Sequence, residues 1–314
     1  MTPLALLLVL AAAGLHATWN YCAKRAGGGL PFVWLVGALI CTGYVPVVSA
    51  YWLWRHPVIP LGAALWILGS GVLKTSYSLF LQRGYRTGDF SLIYPLARGT
   101  GPLLSTLAAI AFLGERPSPL ALAGAAVIVA SIFWLTGGFA RLRSLVQVGA
   151  PASRRPASAS SPIPVVNPAG RAARAFSGVN YGLMSGVFIA SYTLWDRHGV
   201  AALAIAPVLY DAGTAFTQLA LLTPFALRRW PEVRTHWRDH RRYAFGVALL
   251  SPAAYLLVLT AMVFTPVSYV APAREISIVI GAFIGARWLK ETDTRRRLLA
   301  AFAMVAGVIA LALG

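Results

Sequence analysis

Apolar residues along this chain neither alternate nor keep to one helical face; they come in long runs separated by short polar stretches. A helix rises 1.5 Å per residue, so about 20 apolar residues cover the hydrocarbon core of a bilayer. Ten runs approach that length, at approximately 3–23, 31–54, 60–82, 90–113, 118–137, 177–195, 202–227, 243–264, 267–289 and 296–313. The pattern predicts an all-α membrane protein with ten transmembrane helices. The first run has the length of a signal peptide but lacks a positive leading region. It continues into His16-Ala17-Thr18-Trp19-Asn20 where a cleavage site would need small residues, so it is read as a helix. Most connections are short and favour antiparallel neighbours. The exception, 138–176, is rich in Arg, Ser, Pro and Ala and has too little apolar surface to order itself. It is read as a flexible basic linker between a first part, 1–137, and a second, 177–314.

Composition agrees. Hydrophobic residues make up 58% of the 314 positions and charged residues 11%, against about 25% charged in soluble domains. A soluble fold this apolar would expose aggregating patches, which a bilayer covers. The net charge of +18 would suit nucleic acid, but 24 of the 27 Lys and Arg residues stand in loops between apolar runs. They do not line a basic face with interleaved aromatics, so no nucleic-acid partner is expected. Cys22 and Cys41 lie inside apolar runs, without the spacing of a metal site or disulfide framework, and no cofactor or metal is expected. The loop charges are lopsided. Lys24, Arg25, Arg83, Arg86, six linker arginines, six arginines between 228 and 242 and five basic residues between 287 and 297 fall on one side. Only Arg55, Arg116 and Arg197 fall on the other. The positive-inside rule then places the linker in the cytoplasm and both termini outside a cytoplasmic (inner) membrane.

The two parts resemble each other. Trp19 and Trp195, Asn20 and Asp196, Arg98 and Arg274, and Glu115 and Glu291 are each separated by 176 residues, and each pair stands in or at the end of the same helix of its half. Four pairs at one offset imply a duplication. Five spans per half is an odd number, so the second copy enters the membrane upside down. Inverted five-helix repeats are typical of secondary transporters, whose sites lie near the midplane between repeats.

Pro95-Leu96-Ala97-Arg98-Gly99, followed by Pro102-Leu103 and Leu113-Gly114-Glu115-Arg116, resembles the fourth helix and following loop of the EamA-like families in the drug/metabolite transporter superfamily. Leu15-His16-Ala17-Thr18-Trp19-Asn20 is similar to the first helix of a branch associated with phosphonate utilisation. The resemblance covers both halves outside the linker. It implies two five-helix repeats and movement of small metabolites by alternating access, without fixing a substrate. Several members keep both termini in the cytoplasm, opposite to the charge count here.

Polar groups inside spans are the candidates for chemistry, because a charge at mid-bilayer costs at least ~2.5–3.5 kcal/mol on insertion scales. His16, Asn20 and Lys24 recur every four residues on the first helix, and Ser70, Lys74 and Ser78 on the third, with Tyr77 adjacent. Tyr94, Arg98, Pro102 and Ser105 share a stripe on the fourth. The ninth carries Arg274, Ser277 and Gly281, the eighth Ser251 and Tyr255. Tyr192, Trp195 and Asp196 end the sixth, and Asp211, Thr214 and Gln218 line the seventh. Lys74, Arg98, Arg274, His16, Asn20, Tyr77, Tyr94 and Tyr255 are the candidate substrate contacts. Asp211 and Glu275, taken as the intramembrane acids, are candidates for coupling or for ion pairing. Neighbouring Arg274 and Glu275 point about 100° apart on a helix, so they do not neutralise each other automatically. His16 is either a proton acceptor or a helix-packing residue. Trp19 and Trp195 read as interfacial anchors, Glu115 and Glu291 as loop or packing contacts. Pro95, Pro102 and Pro272 are expected to kink their helices and free carbonyls towards a site.

Basic groups dominate this interior, which favours an anionic or zwitterionic solute gripped by an arginine fork. The competing class is an integral-membrane enzyme acting on a lipid or small anionic substrate. The chain has no Asp-rich cluster, no paired His within a span and no phosphate-cradling loop. Transport, by a monomer or homodimer, accounts for the stripes and the duplication together.

Overall fold

In the computed structural model of the protein, residues 1–57, 60–87, 90–135, 168–277, 280 and 294–314 are described. The described residues form ten α-helices and one π-helical turn, and no strand occurs among them. The first half gives α1 (Pro3–Arg25), α2 (Leu30–Arg55), α3 (Leu61–Thr87), α4 (Phe90–Leu113) and α5 (Pro119–Leu135). The second gives α6 (Pro168–Arg197), a π turn (His198–Ala202), α7 (Pro207–Leu227), α8 (Trp230–Phe264), α9 (Val267–Arg274) and α10 (Thr294–Leu313).

Local sequence explains the boundaries. Gly27, Gly28 and Gly29 all have positive φ, at 76°, 62° and 94°, and turn the chain between α1 and α2 in a conformation other residues resist. Pro31, Pro207 and Pro231 stand in the first turns of α2, α7 and α8, where a missing N–H leaves no bond unmade. Gly114, at φ 65°, stops α4 and aims the next residue, Glu115, away from its own helix.

Among the described residues, four helical stretches are long and apolar enough to cross a membrane: Pro3–Ala23, Leu30–Arg55, Leu61–Leu81 and Trp230–Phe264. Their outward side chains are greasy; Leu53, Trp54 and Leu249 are each more than 70% exposed, as a lipid-facing surface requires. Several boundaries differ from the hydropathy reading. Helix α6 begins at Pro168 instead of 177, because Ala and Arg in 168–176 favour helix even though the arginines lower hydropathy. Helix α8 begins at Trp230 instead of 243, its first turns being arginine-rich. Between α6 and α7, the π turn and a loop through Ala204, with φ 50°, occupy the start of the expected seventh span. The expected ninth span is helical over Val267–Arg274, breaks at a turn at Glu275 and is helical again at Ile276 and Ser277; most of its remainder lies outside the described residues. Residues 138–167 of the expected linker also lie outside them.

The halves interdigitate. Helix α1 packs on α8, and α3 packs reciprocally on α6; α2 meets α8, and α3 meets α7. The self-paired contacts are α2 with α7, α4 with α9 and α5 with α10. Exchanging each helix for the one five places along maps this set of contacts onto itself. Where α5 meets α10 the backbones nearly touch: a Cβ on Gly124 would lie 2.5 Å from the Gly307 carbonyl oxygen, so only glycine fits.

Candidate functional site

One face of α3 builds most of the site. Trp66, Ser70 and Lys74 follow at helical spacing and all point at the end of α6. The Trp66 carbonyl accepts the indole N–H of Trp195 at 2.8 Å. The Ser70 hydroxyl donates to Asp196 Oδ1 at 2.5 Å. The Lys74 ammonium lies 3.1 Å from Asp196 Oδ2. Gly69 allows this approach, since a Cβ there would lie 2.5 Å from the Trp195 ring. The rings of Trp66 and Trp195 lie 3.9 Å apart, and His198 of the π turn also stacks on Trp66, at 4.5 Å.

Asp196 collects four donors from three helices. Besides Ser70 and Lys74 it accepts the hydroxyl of Tyr210 at 3.0 Å and that of Tyr255 in a short bond. Its side chain is wholly buried, whereas that of Lys74 is 14% exposed. The Lys74 ammonium also sits 4.2 Å from the centre of the Tyr255 ring and 5.9 Å from that of Tyr192. A buried carboxylate is tolerable only with this many partners, because each of its lone pairs must find a donor. Beside it, Asp211 accepts the Tyr44 hydroxyl of α2 at 2.5 Å and lies within the electrostatic reach of Lys74. Further along the same face, Ser78 accepts from the Gln218 amide at 3.2 Å.

A second buried group forms where α4 meets the end of α9. Arg98 Nη1 and Arg274 Nε each lie 3.5 Å from one oxygen of Glu275, so two guanidiniums converge on one carboxylate. The turn at Glu275 makes this possible. At this one-residue break in the helix the carboxylate reaches its own neighbour and α4 together, and Arg274 and Glu275 do pair despite their adjacency. The charges of Arg274 and Arg98 also act on His16 of α1. His16 Nδ1 accepts the Trp19 indole N–H at 2.8 Å, which puts the proton of a neutral imidazole on Nε2. That Nε2 is buried with no hydrogen-bond partner among the described residues.

A third contact joins the halves at an end. The Glu115 carboxylate accepts the backbone N–H groups of Val267 and Ser268, at 2.8 and 2.9 Å, and so caps the N-terminus of α9. Helix starts expose such donors and favour negative charge.

Comparison with known proteins settles the family. The profile of the EamA-like transporter family matches residues 3–137 and again 176–313. This chain belongs to the EamA-like transporter family. It is therefore a multi-helix membrane protein from a family of transporters. No curated protein matches it. A solved crystal structure is 18% identical, with a TM-score of 0.69 and 98% of each chain covered, a likeness of fold.

The candidate residues of this EamA-like transporter fall into three sets. Lys74, Tyr255 and Asp211 meet around the α6 end, and Tyr77 reaches it through Tyr192, whose ring lies 6.0 Å away. Arg98, Arg274, Glu275 and His16 form the second group. Asn20 stays local, its amide donating to the His16 carbonyl at 2.6 Å. Helix α4 includes Tyr94, but its side chain lies outside the described residues, as does Glu291. Two readings change. Asp211 and Glu275 are not the whole set of buried acids: Asp196 is more buried than Asp211 and holds Lys74. Trp195 is not an interfacial anchor, since its N–H and ring are both used against α3. A signal for Asp196 was present in the Trp-Asp step that repeats Trp19-Asn20 at the 176 offset.

Proposed function

We propose that the protein is a secondary transporter of a small polar metabolite, anionic or zwitterionic, working by alternating access across the cytoplasmic membrane. Its ten helices act as two five-helix halves of opposite topology. The observation that carries this reading is that buried ion pairs bridge the halves. Lys74 and Arg98 come from the first half, and their partners Asp196 and Glu275 from the second. Charges of this kind are expensive in a bilayer and mark solute or ion pathways. Because each pair spans the interface, rocking of one half against the other would break and remake it. A solute carrying charge of its own replaces the lost partner during that movement. The reciprocal packing of the halves supports inversion, since an axis in the membrane plane exchanges helices in this way. The Met1 nitrogen donates to the Ala312 carbonyl at 3.0 Å, which supports an even number of crossings.

Arg98, Arg274 and His16 offer donors to an acidic group, and Tyr77, Tyr192 and Tyr255 supply walls with hydroxyls. Reconstituted uptake of a metabolite panel by wild type and Arg98→Ala tests the reading. Uptake of an acidic or zwitterionic solute by wild type, lost in Arg98→Ala, is expected. If Arg98→Ala and Lys74→Ala both leave transport intact, the site lies elsewhere. Orientation follows the loop charges, with the 138–176 segment inside. Cysteines placed there should resist impermeant thiol reagents in intact cells; labelling from outside reverses the topology.

A further inference from the structure

The four groups on Asp196 are not alike. Ser70, Tyr210 and Tyr255 bring hydroxyls on short or ring-stiffened side chains from α3, α7 and α8. Lys74 brings an ammonium on a flexible four-carbon stem, and it is the partly exposed member of the pair. Around that ammonium stand a carboxylate oxygen at 3.1 Å and the faces of two tyrosines, within the roughly 6 Å over which a ring attracts a cation. A carboxylate backed by aromatic faces recognises any primary ammonium, whether or not it is tethered. A purely structural pair at this depth would be served better by arginine, which grips a carboxylate with two parallel bonds.

The surroundings also provide for exchange. Asp211 directly follows Tyr210, whose hydroxyl bonds Asp196, and it is the second buried carboxylate at this corner, bonded to Tyr44. Tyr192 and Tyr255, which wall the ammonium, act electrostatically on Arg274 as well. The ammonium site and the arginine group thus share these two tyrosines as neighbours.

We infer that Asp196, Tyr192 and Tyr255 form a binding site for a primary ammonium group, that Lys74 fills it in the unloaded protein, and that the ammonium of a small zwitterionic substrate displaces Lys74 towards Asp211. The displacement by substrate rests on the transport reading above; the ammonium site itself does not. The acidic end of the substrate then lies towards Arg98 and Arg274.

Methylammonium serves as the probe of the vacated site. The purified full-length Lys74→Ala protein is titrated with methylammonium chloride, with sodium chloride and tetramethylammonium chloride as controls, and its Tm is followed. A saturable rise in methylammonium alone is expected, absent from wild type and from Lys74→Ala/Asp196→Asn. A response equal to that in sodium overturns the site. Wild type is tested with 2-aminobutyrate, butyrate and butylamine, a series that decides the matter even if Lys74→Ala does not fold. The zwitterion should raise Tm at concentrations about tenfold below either singly charged relative, equivalent to ~1.4 kcal/mol. Equal effects, or none, overturn the zwitterion assignment. A methylammonium response in Lys74→Ala without uptake of any solute by wild type would leave the site standing and remove the transport reading. Arg98-dependent uptake of butyrate, with no methylammonium response, would do the reverse.

Discussion

Asn20 and Asp196 occupy the same place in the two halves, each following a tryptophan near the end of the first helix of its repeat, yet they behave differently. In the first half both polar groups are satisfied at home. Trp19 donates to the ring of His16 and Asn20 to its carbonyl, all within α1. In the second half both reach across. Trp195 donates to α3, and Asp196 gathers donors from α3, α7 and α8. An amide carries its own donors and acceptor and can bond back along its helix. A carboxylate is acceptor-only, so burying it commits neighbouring helices to supply protons and a cation. One change of side-chain chemistry separates a local arrangement from a tertiary one.

The contrast is open to direct attack. Asp196→Ala should have the largest effect, destabilising the purified protein by about 3–5 kcal/mol, because Lys74 and three hydroxyls lose their acceptor. The matched Asn20→Ala should lose only about 0.5 kcal/mol, the low end for a net hydrogen bond. Similar losses in denaturant unfolding would show that the two corners are energetically alike. Gly69→Ala pushes a methyl into the Trp195 ring and should cost about 1–3 kcal/mol by overpacking. It should also reduce transport, since Trp195 and Asp196 move together; unchanged stability and uptake would uncouple the α3 contact from the site. Glu115→Ala removes the cap on α9 and should cost about 1–2 kcal/mol, read as a lowered Tm. Trp195→Phe deletes the indole N–H donated to α3 and should cost about 1 kcal/mol. A larger loss from Trp19→Phe would invert the comparison.

Much of the architecture was legible because its signals are local. Run length and loop charge announced a helical membrane protein, and the 176-residue offset announced its duplication. The glycines at 27–29 and Gly114 mark turns through their own backbone freedom. Helix starts were read less well where arginine lowers hydropathy without opposing helix, as at Pro168 and Trp230. Site residues were legible as types. Lys74, Arg98, Arg274 and Glu275 stood out because a charge in an apolar run needs a reason. Their partners were not legible, because no spacing within one helix specifies which residue of another helix arrives opposite.

The sequence by itself thus determined the helical class, the repeated halves and which positions carry charge, since hydropathy, backbone freedom and duplication are properties of neighbouring residues. Tertiary structure decided that Lys74 pairs with Asp196, that two arginines converge on Glu275, and that Glu115 caps a helix of the other half. Those choices depend on close approach between helices far apart in the chain. A buried charge is stabilised only over a few ångströms, so its partner is fixed by packing and not by order in the sequence.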